Sequence, residues 1–301
     1  GFTYHEAETP LELAVSMAFN YQKPVLGYGH LGGPGIEGPE RAFTAEAEFF
    51  REYNDRYFTE TENVADVAVV RTWPSMAYSI SATQVPMLLM EQVLIQHKVP
   101  FDIIFDRQMD TIDRYKAVVL AGQESLSGEW VDRLAGYARN GGTVVFTGNT
   151  ADYNQYRRRR SKNPLLALAG ISAASAVTVK PLGKGKLVYI PGIVPGMAAR
   201  QARRGTGDET DLGGPELSRK TGFPADLWVL PKNHLEIYQA IARNLRGGLS
   251  VATQAPLTTV MEVLNRKTSN ETILHFVNFD EKRPVVPFAV RLRKQMDRKV
   301  G

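Results

Sequence analysis

The amino-acid sequence predicts a doubly wound α/β domain in the middle of the chain, over Val64–Thr150. Four short apolar segments, VADVAVV, FDIIF, YKAVVLAG and GGTVVFTG, alternate there with segments of helical spacing. This alternation is typical of βαβ units, whose parallel sheet is covered by helices on both faces. The helix predicted over Gly128–Arg139 is followed by Asn140–Gly142, a favourable helix C-terminus, and the next strand begins at once.

The first helix of this domain is predicted over residues 84–97, QVPMLLMEQVLIQH, with Pro86 in its first turn. One stripe of this helix would be formed by Val85, Leu88, Leu89, Gln92, Val93 and His97. The segment DRQMDTIDRY, between the second and third strands, is predicted to be a short turn-rich connection.

The composition of the chain excludes several classes of function. The 301 residues suffice for two or three domains, and 43% hydrophobic and 23% charged residues are typical of a soluble globular protein. A net charge of +4 favours neither a nucleic acid nor a membrane as partner. No signal peptide is visible, but the chain opens on Gly in the middle of a pattern, so we expect a piece of a longer protein and leave its compartment open. Zero cysteines exclude disulfides and thiolate chemistry.

Residues 1–62 are predicted to be two βα units. FTYHE and PVLGYGH have strand patterns, and LELAVSMAFNYQ and RAFTAEAEFFREYNDRYF have helix patterns. Two units are too few to close a fold, so we expect the C-terminal remnant of a (β/α)8 barrel. The glycine-rich loop between them, LGGPGIEGPE, matches neither GxGxxG nor a P-loop and is interpreted as a loop on the substrate side of the barrel.

After Thr150 the pattern loosens. Four arginines at 157–160 lie near Tyr153 and Tyr156, a composition compatible with nucleic-acid binding or an anionic subunit contact, although a solvated loop is the default. The sequence then predicts a short helix at NPLLALAG, a β-hairpin at AVTVKPLGKGKLVYIPG, a polar loop over 195–226 and a last helix at PKNHLEIYQAIARNLRGG. The buried side of that helix is predicted to carry Leu235, Ile237, Tyr238, Ile241 and Leu245.

From residue 251 onward the sequence predicts the first strands of an antiparallel β-sandwich. TTVMEVLNRK, ETILHFVNFD and PVVPFAVRLRK alternate with a period of two, and Thr268-Ser269-Asn270 forms a turn between the first two. The predicted domains are therefore residues 1–62, 63–250 and 251–301.

This order of parts resembles the C-terminal part of glycoside hydrolase family 42 and related β-galactosidases. The segments that carry the resemblance are ADVAVVR, the stretch from FDIIFDRQ to GGTVVFTGNTADYN, GKGKLVYIPG and ILHFVNFD. The resemblance implies that residues 63–250 are a flavodoxin-like trimerisation domain with the fold of class I glutamine amidotransferases. It also implies a homo-oligomer, a trimer in particular, and a parent protein that acts on carbohydrate.

Amidotransferase activity is not expected, because that fold carries its nucleophilic Cys in the turn after the fourth strand. The corresponding turn here, Phe146–Thr150, contains no Cys, and we interpret Gly148 and Asn149 as a vestigial nucleophile turn. Glycosidase chemistry requires two carboxyl groups, and the resemblance implies that they come from different barrel strands. Glu6, with Glu8 as the alternative, would be the nucleophile at the end of the seventh strand, or simply an acidic residue near a helix N-terminus.

Tyr28 and His30, after the predicted eighth strand, would line the same substrate pocket. The five histidines, 5, 30, 97, 234 and 275, form no pair with metal-ligand spacing, so neither a metal nor a cofactor is expected. The sequence thus favours a non-catalytic assembly domain of a glycoside hydrolase. The alternatives are a sugar- or small-molecule-binding module of the same fold and a divergent glycosidase that uses Glu6.

Overall fold

A computed structural model describes residues 44–172, 174–196, 229–269, 271–280 and 283–293, together with Leu11, Ala14, Val15 and Ala18. Contacts divide the chain into two compact units. The central unit comprises residues 65–251 with 293–301, and the flanking unit combines residues 1–64 with 252–292.

The helices and strands of the described residues alternate along the central unit as the sequence predicts. The helices are α1 (Thr44–Tyr57), α2 (Trp73–Gln96), α3 (Gly128–Arg139), α4 (Pro164–Ala169) and α5 (His234–Ala242), with a 3₁₀ helix at Asp106–Arg114. The strands are β1 (Thr61–Asn63), β2 (Val67–Arg71), β3 (Phe101–Phe105), β4 (Ala117–Leu120), β5 (Thr143–Thr147), β6 (Thr178–Leu182), β7 (Gly185–Ile190), β8 (Val251–Thr253), β9 (Thr259–Arg266), β10 (Thr272–Asn278) and β11 (Val290–Leu292).

The central unit is built on a six-stranded sheet of order β3-β2-β4-β5-β7-β6. Neighbouring strands from β3 to β7 are parallel, and only β6 runs antiparallel to its neighbour β7. The strand order reverses beside β2, because the chain first adds β3 on one side and then β4 on the other. This confirms the predicted doubly wound, flavodoxin-like α/β fold.

Helices bury both faces of the sheet. One face packs with α2 and α5, for example Val67 and Val69 with Val93 and Ile241. The opposite face packs with the 3₁₀ helix, α3 and α4. Because both faces are covered, the four residues Val67, Ala68, Val69 and Val70 are all fully buried, as a continuous apolar strand predicts.

Helix α2 differs from its prediction in length and in position. It begins at Trp73, eleven residues before the predicted start, because Pro74 occupies the first turn and Thr72 supplies an extended N-cap. Pro86 is therefore inside the helix rather than in its first turn. Leu88, predicted to be on the buried stripe, is 40% exposed, whereas Leu89 and Val93 are buried.

Helix α3 has the predicted bounds. The Ser127 hydroxyl accepts a hydrogen bond from the backbone N–H of Trp130 at 3.1 Å, and Asn140 is the C-cap residue. The side chain of Asn163 caps α4 in the same way. In α5, Ile237 and Ile241 are buried as predicted, but Leu235 is 51% exposed, so the predicted buried side was wrong at this position.

An ion pair with a buried carboxylate lies at the amino-terminal ends of the sheet strands. Lys116 Nζ lies 2.7 Å from Asp66 Oδ1, and Asp66 is 1% exposed. Ser250 donates to the same carboxylate from its backbone N–H and its hydroxyl, both at 2.6 Å. This network connects Ser250, in the segment that follows α5, to Asp66, which immediately precedes β2.

The flanking unit contains an antiparallel sheet of order β1-β9-β10, in which Thr61–Asn63 pairs with β9. The third predicted strand of this region is only Val290–Leu292, and it pairs with β8. Leu11, Ala14, Val15 and Ala18, within the predicted helix LELAVSMAFNYQ, are helical. The assignment of these segments to a barrel and a sandwich stays a prediction.

Candidate functional site

The candidate site lies at the carboxyl-terminal ends of the strands of the central sheet, between β2 and β4. In open α/β sheets, ligands bind outside the carboxyl ends of the strands at the point where the strand order reverses. Here that point is bounded by Thr72 and Trp73, which follow β2, and by the segment Ala121–Ser125, which follows β4.

Polar side chains of the chain itself fill this position. Gln123 Oε1 accepts hydrogen bonds from the Thr72 backbone N–H at 2.8 Å and from its hydroxyl at 3.1 Å, and Gln123 Nε2 donates to Ala121 O at 3.1 Å. Ser75 Oγ accepts from the Ser125 backbone N–H at 2.9 Å. Thr72, Ser75, Gln123 and Ser125 are each 0% exposed. The crevice at the reversal of strand order is therefore occupied by a buried hydrogen-bond network.

The predicted vestigial nucleophile turn follows β5, beside this network. Gly148 has φ +38°, and its N–H donates to Ile190 O at 3.0 Å. Asn149 Nδ2 donates to Glu124 Oε1. Whether Gly148 and Asn149 descend from a nucleophile turn stays a prediction.

The hydroxyl groups of the two threonines in that turn are hydrogen-bonded to backbone groups. Thr147 Oγ1 accepts from the Gly122 N–H at 2.9 Å, and Thr150 Oγ1 lies 3.2 Å from Leu120 O, which accepts its proton. Thr147 is 3% and Thr150 0% exposed. Within the described part of the chain, no hydrogen bond joins either hydroxyl to a histidine.

Two arginines of the run at 157–160 contact the segment that follows β4. Arg157 Nη1 lies 3.6 Å from Glu124 Oε2, and its guanidinium lies 5.1 Å from the centre of the Tyr153 ring. Arg160 Nη2 donates to Leu126 O at 2.7 Å. Two of the four arginines thus hold the loop against the segment after β4, while Arg158 and Arg159 are exposed.

A second ion pair lies where β2 meets α2. Arg71 Nε and Nη2 donate to Glu91 Oε1 at 3.0 and 2.7 Å, and Nη2 also donates to Oε2 at 2.6 Å. Burial raises the pKa of Glu91, and the Arg71 guanidinium opposes that shift. The pair ties the end of β2 to the helix above it.

A histidine pair that sequence spacing did not predict joins the end of α2 to the start of α5. His97 Nε2 lies 2.9 Å from His234 Nδ1, and Tyr238 stacks on His97 with ring centres 4.3 Å apart. Burial, followed by the charges of His234 and Lys98, lowers the pKa of His97 to about 4. The two histidines are 137 positions apart, so no local motif could have indicated their contact.

Four of the predicted site residues, Glu6, Glu8, Tyr28 and His30, lie outside the described residues, so their roles stay predictions. Among the described residues, no group of three or more His, Cys, Asp or Glu side chains is arranged to hold a metal ion. None of the helices in the described ranges has the length and apolarity needed to cross a membrane.

Comparisons with known proteins bear on the central unit. Residues 92–176 match the family model described as the β-galactosidase trimerisation domain. No curated protein matches the chain.

Three solved structures illustrate the distant likeness of the chain to larger enzymes. Gan42B, a GH42 β-galactosidase from G. stearothermophilus, is 15% identical with a TM-score of 0.49, covering 94% of this chain and 50% of that one. A β-galactosidase from Rahnella sp. R3 is 12% identical with a TM-score of 0.48, covering 77% and 40%. An α-L-fucosidase from Paenibacillus thiaminolyticus is 17% identical with a TM-score of 0.48, covering 87% and 45%.

This chain therefore spans half or less of the length of each of these three proteins. These likenesses are distant, and the comparison that bears on the central unit is the family match over residues 92–176. Over residues 92–176, the central unit is similar to the trimerisation domain of β-galactosidases.

Proposed function

We propose that this chain is a non-catalytic assembly module, whose central unit joins copies of the chain into a homotrimer. The observation that carries the proposal is the buried network of Thr72, Ser75, Gln123 and Ser125, which fills the crevice where ligands bind in doubly wound folds. When a module's own side chains occupy the ligand crevice, no ligand can bind there. The fold would then serve as a scaffold.

The turn after β5 supports the same proposal. An amidotransferase would need a thiolate in this turn, but the chain contains zero cysteines. Thr147 and Thr150 are buried and bonded to backbone groups, so they offer no replacement nucleophile. The matched family is described by its role in trimerisation, which agrees with a scaffold function.

The parent protein is proposed to be a glycoside hydrolase that acts on carbohydrate. Glu6, or alternatively Glu8, would then belong to its active site, with Tyr28 and His30 in the substrate pocket. Since the second carboxyl group would come from an earlier barrel strand, the 301-residue chain is expected to lack glycosidase activity on its own. The filled crevice disfavours the alternative of a sugar-binding module.

Light scattering of the full chain over a range of concentrations tests the proposal. The expected result is a mass that approaches three times 33.4 kDa as the concentration rises. A mass that stays at 33.4 kDa at the highest concentration would refute self-assembly by this chain.

A further inference from the structure

The two edges of the central sheet differ in how they are protected against association. Exposed edge strands tend to pair with other chains, and natural proteins protect them with Lys, Pro or a covering element. The edge strand β6 has this protection, because Lys180 and Pro181 are both exposed in it. The opposite edge strand, β3, has the sequence FDIIF, with neither Lys nor Pro.

The unprotected edge exposes apolar side chains on a single face. Ile103 is 37% and Phe105 41% exposed. Ile103 is in register with Val69, which packs in the core beneath α2, so Ile103 and Phe105 lie on the α2 face of the sheet. The one charged residue of β3, Asp102, alternates to the other face, where Arg114 Nη2 lies 3.0 Å from its carboxylate.

Helix α2 extends this apolar surface. Its N-terminal residue Trp73 is 70% exposed, and the Trp73 backbone N–H donates to Asp106, the residue that follows Phe105. Trp130 Nε1 donates to the other oxygen of the Asp106 carboxylate at 2.9 Å, which fixes that carboxylate against α3. A rigid contact thus holds the start of α2 beside the end of β3.

The helix also brings no free charge to this surface. Glu91 is the one charged residue among the 24 of α2, and it is buried in the ion pair with Arg71. We call the surface formed by Trp73, Ile103 and Phe105 the β3 edge patch. Aromatic residues, and Trp above all, dominate the binding energy of protein interfaces.

We propose that the β3 edge patch is a surface on which a second copy of this chain packs. The inference rests on the proposed self-assembly and assigns it a location. The patch is unprotected on a sheet whose other edge is protected, and both of its strand residues lie within the matched trimerisation segment 92–176. Because a closed trimer uses a different surface on each side of the interface, the patch packs against another part of the next copy and not against a second β3 strand.

The test compares two lysine substitutions on the two edge strands. Ile103→Lys places a charge in the β3 edge patch, and Val179→Lys places the same charge on β6, where Val179 is 43% exposed. We expect Ile103→Lys to raise the concentration needed for assembly about 100-fold, and Val179→Lys to leave it within about twofold. Light scattering of the full chain measures both, and circular dichroism verifies that each variant is folded.

A second measurement does not depend on disrupting the interface. Since the chain contains no cysteine, Ile103→Cys and Val179→Cys each introduce a single thiol. The thiol at position 103 is expected to react with a maleimide at least tenfold more slowly in the assembled protein than after dilution to monomers, whereas the thiol at 179 reacts equally in both.

The outcomes separate the location from the proposed function. An assembled wild-type chain in which both lysine variants still assemble, or in which only Val179→Lys dissociates, would overturn the location and leave self-assembly intact. Equal labelling of the two thiols in the assembled protein would also overturn it. A wild-type chain that stays monomeric would overturn both proposals.

Discussion

The buried network at the reversal of strand order predicts a large loss of stability for Gln123→Ala. The substitution removes the acceptor of the Thr72 N–H and the donor to Ala121 O. Both backbone groups then lack a hydrogen-bond partner in a place that water does not reach, since Gln123 is 0% exposed. Each orphaned buried group costs about 1–3 kcal/mol, and the vacated volume adds to that cost. The free energy of unfolding should therefore fall by about 3–5 kcal/mol.

Gln108→Ala is a matched control for this substitution. Gln108 Oε1 also accepts a backbone hydrogen bond, from the Phe105 N–H at 3.0 Å, but Gln108 is exposed. Water can replace the lost acceptor there, so the expected change is within about 1 kcal/mol. The two variants differ mainly in burial, and that difference is what the comparison measures.

Urea denaturation at one fixed chain concentration measures both variants, because assembly would otherwise change the apparent stability. The fluorescence of Trp130, which is 2% exposed, reports on the central unit. If Gln123→Ala cost no more than Gln108→Ala, the network would not be structural. If Gln123→Ala raised the free energy of unfolding, the crevice would be a strained functional site, and the proposal of a filled crevice would be refuted.

Three other predictions follow from described contacts. Asp66→Ala should lower the free energy of unfolding by about 2–4 kcal/mol, because it removes a buried carboxylate that pairs with Lys116 and accepts two hydrogen bonds from Ser250. Asp113→Ala, at a pair with an exposed carboxylate, should cost under about 1 kcal/mol, and urea melts compare the two variants. The pKa of His97 is lowered from 6.5 to about 4, so its neutral form contributes stability that is present above pH 6.5 and is lost as the pH falls toward 4. His97→Phe should therefore reduce the pH dependence of the free energy of unfolding, measured in melts at pH 7, 5.5 and 4. An unchanged pH dependence in this variant would contradict the assignment. Gly185→Ala should lower the free energy of unfolding by about 2–4 kcal/mol, since the added Cβ would overlap backbone atoms of Ala138 and of the turn at 141–142. Gly128→Ala meets open space and should be near neutral, and urea melts compare the two variants.

Local patterns in the sequence were sufficient to predict the strands and their alternation with helices. A parallel strand that is buried on both faces is apolar at nearly every position, and Val67–Val70 follows this pattern. The end of α3 was equally predictable, because Gly141 adopts φ +106°, a backbone conformation that glycine tolerates. These features depend on residues close together in the chain.

The start of α2 shows how two valid local signals can conflict. Pro86 suggested a helix start, but Pro74 supplies the same signal twelve residues earlier, and the tertiary packing of Met90, Val93 and Leu94 supports the longer helix. A proline inside a helix costs free energy that a well-packed helix can offset. The sequence pattern alone does not rank the two prolines.

The residues of the candidate site could not be paired from the sequence. Thr72 and Gln123 are 51 positions apart, and each is an ordinary polar residue after a strand. Only the placement of β2 beside β4 brings them together. Serine, threonine and glutamine carry no spacing motif of the kind that identifies a phosphate loop or a zinc site, so a network of this type becomes recognisable only in the folded chain.

The filled crevice and the β3 edge patch are connected through the start of α2. The hydrogen bonds of Gln123 keep β2 and β4 rigidly together where an enzyme of this fold would hold a ligand. The same rigidity fixes the adjacent start of α2, and through Asp106 it positions Trp73 beside Phe105. A preorganised apolar surface loses little conformational entropy when a partner binds. The interior network would therefore favour assembly at the β3 edge patch, and a variant that loosens the network should weaken assembly even though it leaves the patch itself unchanged.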